Sequence, residues 1–146
     1  MTPASLSAFP LMGFNEKMGF LLMATSQSPS FTEKGNKLVV RFVNNVDRTM
    51  DRWLDLLLKQ LSRTSVPAKS VAIMEVNTQL GKEWVQSFER EAKKRNMEIV
   101  AKVSYDANET DFYPQLTSLL PKKPDIMVLT TVDEPSAIVM KQAREL

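Results

Sequence analysis

The stretch SVAIMEVNTQLGKEWVQSFEREAKKRNMEIVAKVSY, residues 70–105, decides the fold. It opens on a β-branched apolar run, SVAIMEV (70–76), crosses a small polar loop with one glycine, and continues as KEWVQSFEREAKKR (82–95). There, Trp84 or Val85, Phe88 and Ala92 recur at helical spacing, which predicts a helix with one apolar face. MEIVAKVSY (97–105) is strand-like again. A strand that is apolar throughout and is joined to the next by a helix belongs to a parallel sheet covered on both faces.

The alternation continues downstream. DFYPQLTSLL (111–120) places Phe112, Leu116, Leu119 and Leu120 on one helical face, and DIMVLTTV (125–132) is a third strand. A last helix from about Glu134 to the chain end turns Val139, Ala143 and Leu146 inward. The order β-α-β-α-β-α predicts an α/β fold, a three-layer α/β/α Rossmann-like parallel sheet. Ligands of such sheets sit outside the carboxyl ends of the strands, and the NTQLG loop leaves one of those ends. A strand running into a helix through a glycine turn can also cradle phosphate, although one glycine is weak support for that reading.

The upstream part is less regular. PASLSAFPLMGFNEK (3–17) reads as a helix containing Pro10, GFLLMAT (19–25) as a buried strand, SQSPSFTEKGNK (26–37) as a polar loop and LVVRFV (38–43) as a strand. Asp47 is the expected N-cap of an amphipathic helix carrying Met50, Trp53, Leu54, Leu57 and Leu61. SRTSVPAKS (62–70) links that helix to the regular half. A compositional break near Asn44 and Asn45 divides the chain into 1–44 and 45–146.

Composition narrows the chemistry. With 146 residues, 43% hydrophobic and 25% charged, the chain has the profile of an ordinary folded domain. Its 19 basic and 17 acidic residues are well mixed, so no nucleic-acid partner is expected. The KKR at 93–95 and KK at 122–123 read as solvated helix ends. There is neither Cys nor His, which removes thiol nucleophiles, disulfides, the usual zinc sites and every His-based acid–base scheme. Only 4 glycines are present, with no G-x-G-x-x-G or G-K-[ST], which disfavours a flavin or nucleotide enzyme. DANETD (106–111) lacks the glycine and spacing of a calcium loop, so Thr110 or Asp111 is expected to cap the next helix. Asp125 is expected to be structural. No apolar stretch reaches the roughly 18 residues of a membrane span, and the start lacks a basic n-region, so the chain as written is expected to carry no export signal.

Four stretches in order, SQSPSFTEKGNKLVVRFV, KSVAIMEVNTQLGKEWVQSFEREAKKRNMEIV, YDANETDFYPQLTSLLPKKPDIMVLTT and EPSAIVMKQAREL, carry a likeness to a known family. The chain resembles the type I periplasmic binding proteins, specifically the substrate-binding proteins of branched-chain amino acid ABC transporters. Relative to that family, it looks like an internal fragment. The resemblance implies a first-lobe remnant at 1–44 and a partial second lobe at 45–146. It also implies a non-enzymatic protein without cofactor or metal, binding an amino acid or related small acid between lobes that close by hinge motion. The implied partner is a transporter permease, and the implied location is the periplasm or the outer cell surface. A ligand-sensing domain of the same fold, coupled to a signalling partner, is the alternative.

The resemblance also implies a ligand site. The loop after GFLLMA falls at the family's main ligand loop, which makes Thr25, Ser26 and Gln27 the first-lobe candidates. Short hydroxyl and amide groups there suit a carboxylate and an ammonium group, although TSQSPS also reads as a local turn. Thr2 and Ser5 lie near a helix start where the family often has another carboxylate-binding serine. In the second lobe, Leu80 and Val132 stand where the family commonly has aromatics, and Asp133 at a strand end can meet an ammonium group or cap the last helix. Cutting a two-lobed protein exposes apolar faces, so self-association as a homodimer through residues 3–43 is expected.

Overall fold

The computed structural model describes residues 5–130 and 134–146. The chain forms two units, Met1–Asp51 and Arg52–Leu146.

In the first unit, α1 (Ser5–Met18) precedes two short strands, β1 (Leu22–Ala24) and β2 (Val39–Arg41), with a single helical turn, α2 (Ser30–Glu33), between them. The strands pair in parallel, Leu22 opposite Val39 and Ala24 opposite Arg41. One face of the pair buries Leu22, Ala24 and Val39 with Ala8, Met12 and Phe31. The strands are shorter than expected, and α2 lies inside the stretch read as a polar loop. Phe31 explains that turn, since its ring is fully buried in this core. Asn15, also fully buried, links α1 to the strand region by donating to the carbonyls of Phe20 at 2.9 Å and Leu38 at 3.0 Å. Its own oxygen accepts from Asn36 Nδ2 at 3.0 Å. A buried amide satisfied on both sides in this way fixes where each segment passes.

The second core helix, α3 (Val46–Leu61), runs across the boundary between the units. Asn45, not Asp47, is its cap: Asn45 Oδ1 accepts from the Arg48 amide at 3.0 Å. The helix starts at Val46, so Asp47 already stands inside its first turn. Met50 and Leu54 are buried as the periodicity predicts, while Trp53 remains 40% exposed.

The second unit follows the predicted alternation through β3 (Ser70–Val76), α4 (Gln79–Lys94), β4 (Glu98–Tyr105), α5 (Tyr113–Leu119), β5 (Ile126–Leu129) and α6 (Glu134–Glu145). Its three strands are parallel in the order β4-β3-β5, which places the most apolar strand in the centre. Ala72 and Met74 of β3 pack on one face with Tyr105, Phe112, Leu116, Leu119 and Val139. Val71 and Ile73 alternate to the other face, the side of α4, whose Val85, Phe88 and Ala92 are buried. The sheet is therefore covered on both sides, as an all-parallel sheet requires.

Two inward assignments do not hold. Leu120 is 51% exposed because α5 ends at Leu119 and the chain tightens into a 3-10 turn, rotating Leu120 off the apolar face. Leu146, one residue past the end of α6, is 53% exposed.

Side chains fix where the strands begin and end. Asp125 Oδ2 accepts from the amides of Lys69 and Ser70, both at 2.9 Å, and the Asp125 amide donates to Ser70 Oγ at 3.0 Å. The Ser70 and Lys69 amides hold the Asp125 carboxyl below its ordinary range. Asp125 is thus structural, and it sets the pairing of Val71 with Ile126. At the other end of β5, Thr130 Oγ1 accepts from the Val76 amide at 2.8 Å.

Charge is also buried in this unit. On α4, the Glu91 carboxylate is 4% exposed and accepts from Lys94 Nζ at 2.8 Å and Arg95 Nη1 at 3.0 Å. Arg95 reaches on to Asp55 of α3 at 2.7 Å. Helical periodicity of apolar residues gave no sign of this cluster.

Candidate functional site

The carboxyl ends of the strands present a different surface in each unit. In the first, β1 runs directly into the loop Thr25–Ser28, which leads to α2. Ser26 is 1% exposed and Ser28 fully buried. Four hydrogen bonds shape this loop. The Ser28 amide donates to Ser26 Oγ at 3.3 Å, the local turn bonding that hydroxyl residues favour. The Val46 amide donates to the Gln27 carbonyl at 2.9 Å. The Ser28 carbonyl accepts from the Phe31 amide at 3.2 Å and from Arg41 Nη1 at 2.7 Å.

The Ser28 hydroxyl itself is buried and has no hydrogen-bond partner. Such a group costs about 1–3 kcal/mol of lost hydration unless a water or ligand atom meets it. The residue pattern points to Thr25, Ser26 and Gln27 but not to Ser28, whose carbonyl meets Arg41 across 13 residues of sequence. Beside the loop lies an open concavity of about 780 Å³, lined mainly by Thr32, Arg41, Asn44, Asn45 and Arg48.

In the second unit, β3 ends at Val76 and α4 begins at Gln79. Thr78 caps the helix by accepting from the Gly81 amide at 3.0 Å. That amide is consequently committed to the cap. The helix starts three residues earlier than the apolar periodicity predicts because of this cap. Gly81 is needed for close approach: a Cβ there would lie 2.1 Å from the Val76 carbonyl oxygen. Leu80 sits in the first turn, half-buried. The Asn77 amide donates to the Tyr105 carbonyl at 2.8 Å, drawing the ends of β3 and β4 together. Tyr105 packs edge-on against Phe112, ring centroids 5.2 Å apart.

The remaining elements are held by their own latches. Tyr113 donates its amide to Asp111 Oδ1 at 3.1 Å, so Asp111 supports the start of α5. Gln142 of α6 accepts from the Phe112 amide at 2.7 Å and donates to the Thr110 carbonyl at 3.2 Å. The Tyr113 hydroxyl donates to Glu145, whose carboxylate raises the phenol pKa. Thr2, Val132 and Asp133 lie outside the described residues, and Ser5 opens α1 with its side chain likewise outside them.

The family model described as periplasmic binding protein matches residues 2–146. No curated protein matches the sequence. Among solved structures, the chain is similar to an amino acid ABC transporter substrate-binding protein from Pseudomonas fluorescens Pf-5, with TM-score 0.79, 18% identity, and coverage of 99% of this chain and 38% of that one. A branched-chain amino acid ABC transporter protein from Thermus thermophilus with bound valine gives TM-score 0.76 at 13% identity, covering 97% of this chain and 36% of that one. A solute-binding protein of an ABC transporter from R. palustris, in complex with benzoate, gives TM-score 0.78 at 14% identity, with coverage of 94% and 37%. The chain thus spans well under half the length of these structures.

Proposed function

The chain belongs to the periplasmic binding protein family, and from that premise we propose that it is part of the solute-binding component of an ABC transporter for a branched-chain amino acid or related small acid. Members of this family bind solutes without chemistry, and they act in the periplasm or at the outer surface. The observation that carries the ligand class is the loop Thr25–Ser28, a short hydroxyl- and amide-bearing segment at a strand end with a buried hydroxyl still lacking a partner. A carboxylate or ammonium group supplies what that hydroxyl lacks. Gln27 belongs to the same segment, Leu80 in the first turn of α4 suits an apolar side chain, and Val132 and Asp133 are the further second-lobe candidates, Asp133 for an ammonium group. On this reading residues 1–44 contribute to the first lobe and 45–146 to the second, Thr2 and Ser5 add carboxylate contacts, and a permease is the partner of the whole protein.

Calorimetric titration with valine, benzoate and lysine tests the ligand class. Valine or benzoate is expected to give saturable heat and a higher Tm, about 2.7 kcal/mol of stabilisation at a hundredfold excess over Kd. Lysine is expected to give neither. Silence with both valine and benzoate, repeated on a longer form of the protein, overturns the proposal.

The outer face of the first unit's sheet supports self-association as a homodimer. Leu21, Met23, Val40 and Phe42 are 55%, 53%, 39% and 49% exposed, and Met23 and Val40 are paired neighbours. Parallel strands rarely leave a face bare. Light scattering is expected to show a dimer that Met23→Lys with Val40→Lys converts to monomer. A concentration-independent monomer of the unaltered chain refutes it.

A further inference from the structure

We infer that Arg41 is the positioning residue of the Thr25–Ser28 loop, a role that rests on the ligand reading above only for its consequence in binding. Arg41 ends β2 directly opposite Ala24, the last residue of β1 before the loop. Its half-buried side chain reaches two positions 13 and 9 residues upstream. Nη1 donates to the Ser28 carbonyl at 2.7 Å, and Nη2 donates to Thr32 Oγ1 at 2.9 Å. One planar group thus fixes the spacing between the loop and α2.

The chemistry requires arginine. A guanidinium carries donors in a rigid fork, whereas a lysine ammonium is one point on a flexible stem and cannot hold both acceptors in one plane. The bond to Ser28 is short and charge-assisted, the stronger class of hydrogen bond. It also acts where it matters most. The Ser28 carbonyl anchors the first turn of α2 through the Phe31 amide, and Ser28 carries the buried hydroxyl without a partner. Releasing Arg41 lets that residue rotate, so the hydroxyl loses its fixed direction while the apolar core of Leu22, Val39 and Phe31 stays in place. Arg41 also lines the open concavity beside the loop.

Amide hydrogen exchange on the 146-residue chain tests this with Arg41→Lys and Thr32→Val. The amides of Gln27, Ser28 and Phe31 are expected to exchange roughly ten- to a hundredfold faster in Arg41→Lys, while those of α1 remain at wild-type rates. Thr32→Val, which removes one of the two acceptors, is expected to give a smaller acceleration at the same amides. Unchanged loop exchange in Arg41→Lys overturns the inference. So does equal acceleration throughout the first unit, since that marks general stabilisation rather than positioning. If the unaltered chain binds valine, Arg41→Lys is expected to weaken it about tenfold. If it binds neither valine nor benzoate, the ligand reading fails while the exchange result still decides the role of Arg41.

Discussion

Replacing Gly81 with alanine is expected to destabilise the second unit by roughly 3 kcal/mol or more, lowering Tm by about 10 °C. Two effects favour the substitution: alanine is the better helix former by about 1 kcal/mol, and it restricts the unfolded chain. Both lose to sterics. The added Cβ would stand 2.1 Å from the Val76 carbonyl oxygen and 2.9 Å from Val76 Cγ1. The nearer atom is backbone at the end of the central strand, so relief requires moving β3 or the start of α4. Gly13 in α1 is the control, because nothing lies within 4 Å of a Cβ there. Gly13→Ala is expected to leave stability unchanged or raise it by up to about 1 kcal/mol. Thermal and denaturant unfolding of both variants checks the contrast, and equal behaviour would remove close approach as the reason for glycine at 81.

The second large effect is expected at Glu91. Its pKa falls from 4.5 to about 2, first through the Lys94 hydrogen bond, against the opposing cost of burial, and then through Arg95 and Arg90. The folded state therefore takes up a proton less readily than the unfolded chain. The stability this group contributes is complete above about pH 4.5 and is lost as the pH falls toward 2. Glu91→Ala is expected to cost about 3 kcal/mol at neutral pH, because it takes from the largely buried Arg95 the carboxylate that pairs with its guanidinium. Denaturant melts from neutral pH down to about pH 3 are expected to show a weaker acid decline in the variant than in the unaltered chain. Parallel declines would mean that another carboxylate governs the acid limb.

The sequence made the second unit readable and the first only in outline. Val71 to Met74 form a run apolar on both faces, and such a run has few alternatives to a central parallel strand. In the first unit the strands are three residues each, too short for any pattern to stand out. The turn at α2 was hidden in a polar stretch because a single residue, Phe31, supplies its burial. The site divides in the same way. Thr25, Ser26 and Gln27 stand out by residue type at a strand end. Ser28 and Arg41 do not, since they meet across 13 residues of sequence and no local motif records that contact. Buried Glu91 escaped because helical periodicity weighs apolar side chains alone.

Asp125 and Thr130 add side-chain bonds to the backbone pairing at the two ends of β5 against β3. Together they work as a ruler. One residue inserted or deleted between them would pull a peg from its hole and turn Ile126 and Val128 to the opposite face. The length of this strand is therefore fixed more tightly than the identity of its apolar residues.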